Sequence, residues 1–317
     1  MKKVKNIGGK VLLGGIGLVL LAAVILTAEN GLAEEDIACY EMALSLQEEV
    51  NSIGFPDFQI TDYPVAFNDG TRDYVLRWEN DSYEIADRKP VVEAFAATAI
   101  YHEGSHEILV PTKRRMSELV GMMGGSYNSE EQAVTLWHEA FHCWQFTNHE
   151  EEIIALMGGK DFTDEDYGEA LIVEACDKNL RAVELWNQQS ELLSAALKET
   201  ELPKIREIMI KYRELEEARD ALLSESVRGL EAYYLTVEGT AQYLEARVFK
   251  LLREEDFDEK YGDSLLGYIG GSIKYYSRGM AQCFLLDGLD ENWKGSYDFS
   301  APPISYIYEK LGVSYGL

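Results

Sequence analysis

The sequence predicts an α+β protein in which a small sheet comes first and helices follow. Three observations carry this. Between residues 55 and 111, short runs rich in β-branched and aromatic residues alternate with turn-forming clusters. From about residue 113 onward, apolar residues recur at three-four spacing with charges between them. The composition, 46% hydrophobic and 27% charged over 317 residues, suits a chain that buries a sizeable core.

The first thirty residues stand apart. "MKKVKNIGGK" carries Lys2, Lys3, Lys5 and Lys10, and residues 11–28 then run without a charge. Eighteen apolar residues at about 1.5 Å each span roughly 27 Å, close to a bilayer core. Lysines before the run and acidic residues after it place the N-terminus inside and the body outside. The expectation for residues 1–33 is therefore a membrane anchor. The alternative is a signal peptide cleaved near "GLA", which would release a secreted protein. Either way the body is exported.

Next, "EEDIACYEMALSLQEEVNSIG" has helical spacing and stops at Gly54 and Pro56. "FQITDYPVAF", "NDG" and "DYVLRW" predict one hairpin; "VVEAFAATAIY", "HEGSH" and "EILVP" predict another. The result is a mostly antiparallel sheet over 55–111. "NSEEQAVTLWHEAFHCWQF" predicts a helix opened by a capping box of Ser129 and Gln132. Residues 178–228 predict a helical hairpin broken at Pro203.

Charge narrows the function classes. Fifty-six acidic residues against 29 basic ones give a net charge of -27, which repels nucleic acid and argues against a DNA or RNA partner. Four scattered cysteines form no disulfide framework; Cys143, Cys176 and Cys283 read as buried small hydrophobes, and Cys39 lies too far past the apolar run, in acidic context, to look like a lipid attachment site.

The chemistry concentrates in "LWHEAFHCWQ". Ala133, Leu136, Trp137, Ala140, Phe141 and Trp144 form one apolar face of the helix. His138 and His142 are four apart, so their imidazoles stack one turn above the other and can share a Zn²⁺. Glu139 is rotated by about 100° from His138, beside such an ion without needing to ligate it. There it can act as general base on zinc-bound water. A third protein ligand is needed. "VEGTAQYLEARV" offers Glu238, with Gly239 giving close access to a neighbouring helix and Glu245 two turns on. Glu174 is the rival third ligand, and its bland reading is a helix carboxylate paired with Lys178 or Arg181. Glu169 and His149 are further candidates; His149 reads as a surface residue, as do His102 and His106 at the Gly104 turn.

"HEAFHCW" together with "EGTAQYLE" resembles the zinc signature of gluzincin metallopeptidases, in the M1-aminopeptidase form H-E-x-x-H-x-W followed by E-G-x-A-x-Y-x-E. The resemblance covers these two motifs. It implies a zincin-like fold over residues 34–317, with 127–317 as the helical zinc-binding part and the 178–228 hairpin inserted. It implies His138, His142 and Glu238 as zinc ligands and Glu139 as catalytic base; the helical spacing itself places Glu245, two turns beyond Glu238, to orient a ligand histidine. A catalytic tyrosine some tens of residues after the third ligand implies Tyr276 as oxyanion donor, with Tyr275 next and Tyr234 weaker. Two departures stand out. Glu238 follows His142 by 96 residues, where the family has under two dozen, and the G-x-M-E-N motif of amine recognition is absent.

The expected function is zinc-dependent hydrolysis of peptide bonds, in peptide or protein substrates, at the outer face of the membrane. By analogy with zincins, the strand hairpin before the zinc helix would pair with substrate backbone. The alternative is a catalytically silent zincin-like envelope protein that binds peptides or protein partners.

Overall fold

The computed structural model describes residues 31–79, 82–158, 168–262, 265 and 268–314. The fold class is α+β: a five-stranded sheet followed by a mostly helical region. The expected anchor, residues 11–28, lies outside the described residues. Among the described residues, no helix is long and apolar enough to cross a membrane. The chain divides into two compact units, one ending at Thr147 and one starting at Asn148.

In the first unit, α1 (Glu34–Ser45) and α2 (Gln47–Ile53) come from the predicted helical stretch, and α2 ends at Gly54 as expected. The strands are β1 (Val65–Asn68), β2 (Asp73–Glu79), β3 (Ser82–Arg88), β4 (Thr98–His102) and β5 (Ser105–Pro111). Their order is β3-β2-β1-β5-β4, with β1 and β5 parallel and the other pairs antiparallel. The "NDG" turn joins β1 to β2: the Asp69 carboxylate accepts hydrogen bonds from the Thr71 and Arg72 amides at 2.7 Å, and Gly70 takes φ +96°.

Three strand expectations change. "FQITDY" is a 3₁₀ turn (Ile60–Asp62), not a strand. The Gln47 side chain satisfies its backbone instead, donating to Phe58 O and accepting from Ile60 N. "VVEAFA" is a loop. Val91 N donates to Asp73 Oδ2 at 3.0 Å, and Val91, Val92 and Ala94 cover Ala66, Val75, Ile100 and Leu109 on one sheet face. The unforeseen strand is β3, whose side chains are mostly exposed.

The same sheet face buries Asp73 and Glu107 completely. Arg88 bridges them, 2.7 Å from Glu107 and 3.4 Å from Asp73, and Arg77 adds a second contact to Glu107 at 3.2 Å. Buried charges persist only when matched in this way.

After α3 (Lys113–Met122) comes α4 (Ser129–Asn148), the predicted metal helix. Its capping box is one residue earlier than expected. Asn128 Oδ1 accepts from Glu131 N at 2.8 Å and the Glu131 carboxylate accepts from Asn128 N at 2.9 Å, while Gln132 is buried and donates to Pro111 O. Asn128→Ala is expected to lower stability by about 1 kcal/mol, read as a shift of the urea midpoint with unchanged slope. The apolar face of α4 is buried as predicted. Phe58 packs edge-on against Trp137 and Phe141, Phe55 lies 4.7 Å from Phe141, and Trp137 Nε1 donates to Ala43 O.

The second unit contains α5 (Glu150–Leu156), α6 (Glu169–Ile172) running into a π-helical turn (Val173–Asp177), α7 (Leu180–Lys198), α8 (Leu202–Asp220), α9 (Glu225–Leu252), α10 (Phe257–Tyr261), α11 (Ile273–Leu289) and α12 (Pro303–Leu311). The predicted hairpin is α7 and α8. Pro203 sits in the first turn of α8, where its missing N–H costs nothing. Arg206 donates to Leu311 O and Tyr308 to Glu216, so the hairpin packs against α12 rather than standing free. At the centre, α9 and α11 cross at Gly239 and Gly279. A Cβ added to Gly239 would lie 2.5 Å from Gly279 Cα. All four cysteines are free and buried.

Candidate metal centre

His138, Glu139 and His142 lie on α4 at 8%, 8% and 7% exposure, and Glu238 lies on α9 at 5%. The two imidazoles converge, with His138 Nε2 and His142 Nε2 3.1 Å apart. Two nitrogens bound to one tetrahedral Zn²⁺ stand about 3.3 Å apart. His142 Nδ1 faces Gln145 Oε1 at 2.7 Å. An amide oxygen only accepts, so Nδ1 carries the proton and Nε2 keeps its lone pair.

The structure brings the three predicted ligands together: one donor atom from each of His138, His142 and Glu238 lies within 4.8 Å of the others. Donors bound at about 2.0–2.2 Å to one tetrahedral ion stand roughly 3.3–3.6 Å apart, so contraction by up to about 1.5 Å would close the set. Two imidazole nitrogens and a carboxylate, buried together, are the donor chemistry of a divalent transition metal. The residues fit a metal ion.

The rival ligands are otherwise engaged. Glu174 is exposed and pairs with Lys178 at 2.5 Å, the bland reading. Glu169 accepts from Ser272 N and Oγ. His149 precedes α5 with its ring 4.6 Å from that of Phe299. His106, at the β4–β5 turn, faces Thr147 Oγ1 at 3.0 Å, and burial pushes its pKa down; His102 faces Glu103 across the same turn.

Of the tyrosines, Tyr275 is fully buried and donates to Glu231, so it is committed to packing. Tyr276, the next residue round α11, is half-buried. Tyr234 stacks on Tyr275, and burial raises its pKa. Glu245 accepts from Tyr261 at 2.7 Å and from Gln242 at 2.9 Å.

Other parts of the second motif belong to packing. Gly239 permits the α9–α11 crossing, and Tyr243 donates to Asp287 at 2.6 Å, which Arg247 also contacts. Gln145 is the residue that sequence reasoning missed. Its signal was present, since it follows His142 by three on the same helix.

The chain matches no protein-family model, and no similar curated protein or solved structure was found.

Proposed function

We propose that the chain is a zinc-dependent peptidase of gluzincin type, acting at the outer face of a membrane to which residues 11–28 anchor it. One observation carries the reading: His138, His142 and Glu238 are buried with their donor atoms within 4.8 Å, and Glu139 directly follows the first of them. The match of "HEAFHCW" and "EGTAQYLE" to the gluzincin signature adds to it.

His138, His142 and Glu238 would hold the zinc ion, which when bound supplies Lewis acidity to a substrate carbonyl and to water. Glu139 takes the proton from the attacking water and returns it to the departing amine nitrogen. Gln145 keeps the proton on His142 Nδ1. Tyr276 donates its hydroxyl hydrogen to the developing oxyanion. The β4 edge of the sheet accepts extended substrate backbone, since among the described residues β4 pairs with β5 alone.

The test is hydrolysis of a mixed peptide library by the full chain. Activity should vanish with a zinc chelator and return when zinc is restored. Cleavage unaffected by complete metal removal, or no cleavage by zinc-loaded protein, rejects the proposal.

A further inference from the structure

In the first unit the edge strand β4 sends its side chains to two faces of the sheet. Ile100 belongs to the apolar cluster with Ala66, Val75 and Leu109. Tyr101, the next residue, points the other way, and its register partner on β5 is His106. The His106 ring lies 6.1 Å from that of Phe146, so this face looks toward α4, the helix of His138 and His142. Phe146 in turn lies 6.5 Å from the His142 ring, one helical turn back. Tyr101 meets His106 edge-on at 5.2 Å. Four rings thus run in a continuous file from the candidate metal centre to the edge of the sheet.

The file is fixed in the middle and open at its end. Thr147 Oγ1 donates to Cys143 O at 2.7 Å, and a hydroxyl has one hydrogen, so it accepts from His106 Nδ1 at 3.0 Å. That bond orients the imidazole, and burial pushes its pKa down, so the ring is neutral at pH 7. Phe146 is partly buried, and Tyr101 is 58% exposed. A single exposed aromatic is ordinary on a protein surface. This one stands on an edge strand, and its packing continues ring by ring to His142.

A peptide added to β4 turns every second side chain toward the face of Tyr101. There it meets an uncharged aromatic wall, which rewards rings and branched apolar groups and strips water from a carboxylate without replacing it. His106 and Phe146 stand within two ring spacings of His142, a length that extended backbone covers in about three residues at about 3.3 Å each.

We propose that Tyr101, His106 and Phe146 form a specificity subsite that holds an aromatic or bulky aliphatic side chain of the substrate, within about three residues of the scissile bond. Tyr101 sets the preference. The proposal rests on the peptidase reading and on β4 as the strand that docks substrate.

The experiment reads binding and cleavage separately. Fluorescein-labelled glycine-serine octapeptides with one Phe, Leu, Asp or Lys are bound to the zinc-loaded full chain carrying Glu139→Gln, which stops turnover, and are followed by anisotropy. The same peptides are offered to the chain with Glu139 intact. Phe and Leu peptides should bind at least about 10-fold tighter than Asp and Lys peptides, and kcat/KM should show the same order. Tyr101→Ala should reduce the difference to about twofold, with the loss in KM rather than kcat and with zinc content unchanged. Tyr101→Phe should keep it, since the ring and not the hydroxyl makes the contact. Equal binding of all four peptides, tighter binding of Lys or Asp, no binding of any, or a preference that survives Tyr101→Ala overturns the subsite. Selective binding through Tyr101 without cleavage keeps the subsite and rejects the peptidase reading alone; cleavage without selectivity rejects the subsite alone.

Discussion

Glu139→Gln is expected to lower peptide hydrolysis by at least about 10²–10⁴-fold while leaving metal content and unfolding midpoint unchanged. The amide has the size of the carboxylate and can still hydrogen-bond, but it cannot take a proton from water. Glu139 sits one position after His138 and is equally buried. It is not among the donors that converge on the ion position. The variant therefore separates base from ligand. Comparing kcat at saturating peptide with zinc content by atomic spectroscopy decides the matter. An undiminished kcat would remove Glu139 from the reaction, and lost zinc would make it a ligand.

Gly239→Ala is expected to destabilise the second unit by about 3 kcal/mol, at the high end of overpacking costs. In an ordinary helix the sign would be reversed, because alanine favours helix over glycine by about 1 kcal/mol. Here the new methyl would meet Gly279 Cα at 2.5 Å and its carbonyl carbon at 3.1 Å. Both are backbone atoms, so no rotamer change relieves the clash and α9 must move off α11. Gly279→Ala should behave alike, since its added Cβ would meet Leu235 O at 2.5 Å. Urea unfolding of either variant measures the effect. A stabilised protein would contradict the close crossing. Because Glu238 adjoins Gly239, metal affinity should fall together with stability.

These two residues illustrate what the sequence made legible. The α4 face could be read because a 3.6-residue period leaves Leu136, Trp137, Phe141 and Trp144 on one side and His138 and His142 on another. Gly239 could be read as a contact point because a glycine inside a helix, with no Cβ, lets a neighbouring backbone approach closely. The pairing of His138 and His142 with Glu238 was reachable only through motif resemblance, since no local periodicity relates residues 96 apart.

What escaped did so for identifiable reasons. The β3 strand lies at the sheet edge with most side chains in solvent, so it lacks the apolar alternation of a half-buried strand. "VVEAFA" has strand composition, but Asp73 takes the Val91 amide and the segment covers the sheet instead of joining it. The α4 cap shifted by one residue because Asn128 and Glu131 form a box as good as the one Ser129 and Gln132 offered, and Gln132 is needed in the core.

The most direct measurement is the metal content of the full chain, purified without added metal and compared with Glu238→Ala and His142→Ala. The account predicts about one zinc ion per chain in the unmodified protein and a large loss of affinity in both variants. No bound metal in the unmodified chain, or zinc retained at full affinity when Glu238 is removed, would contradict it.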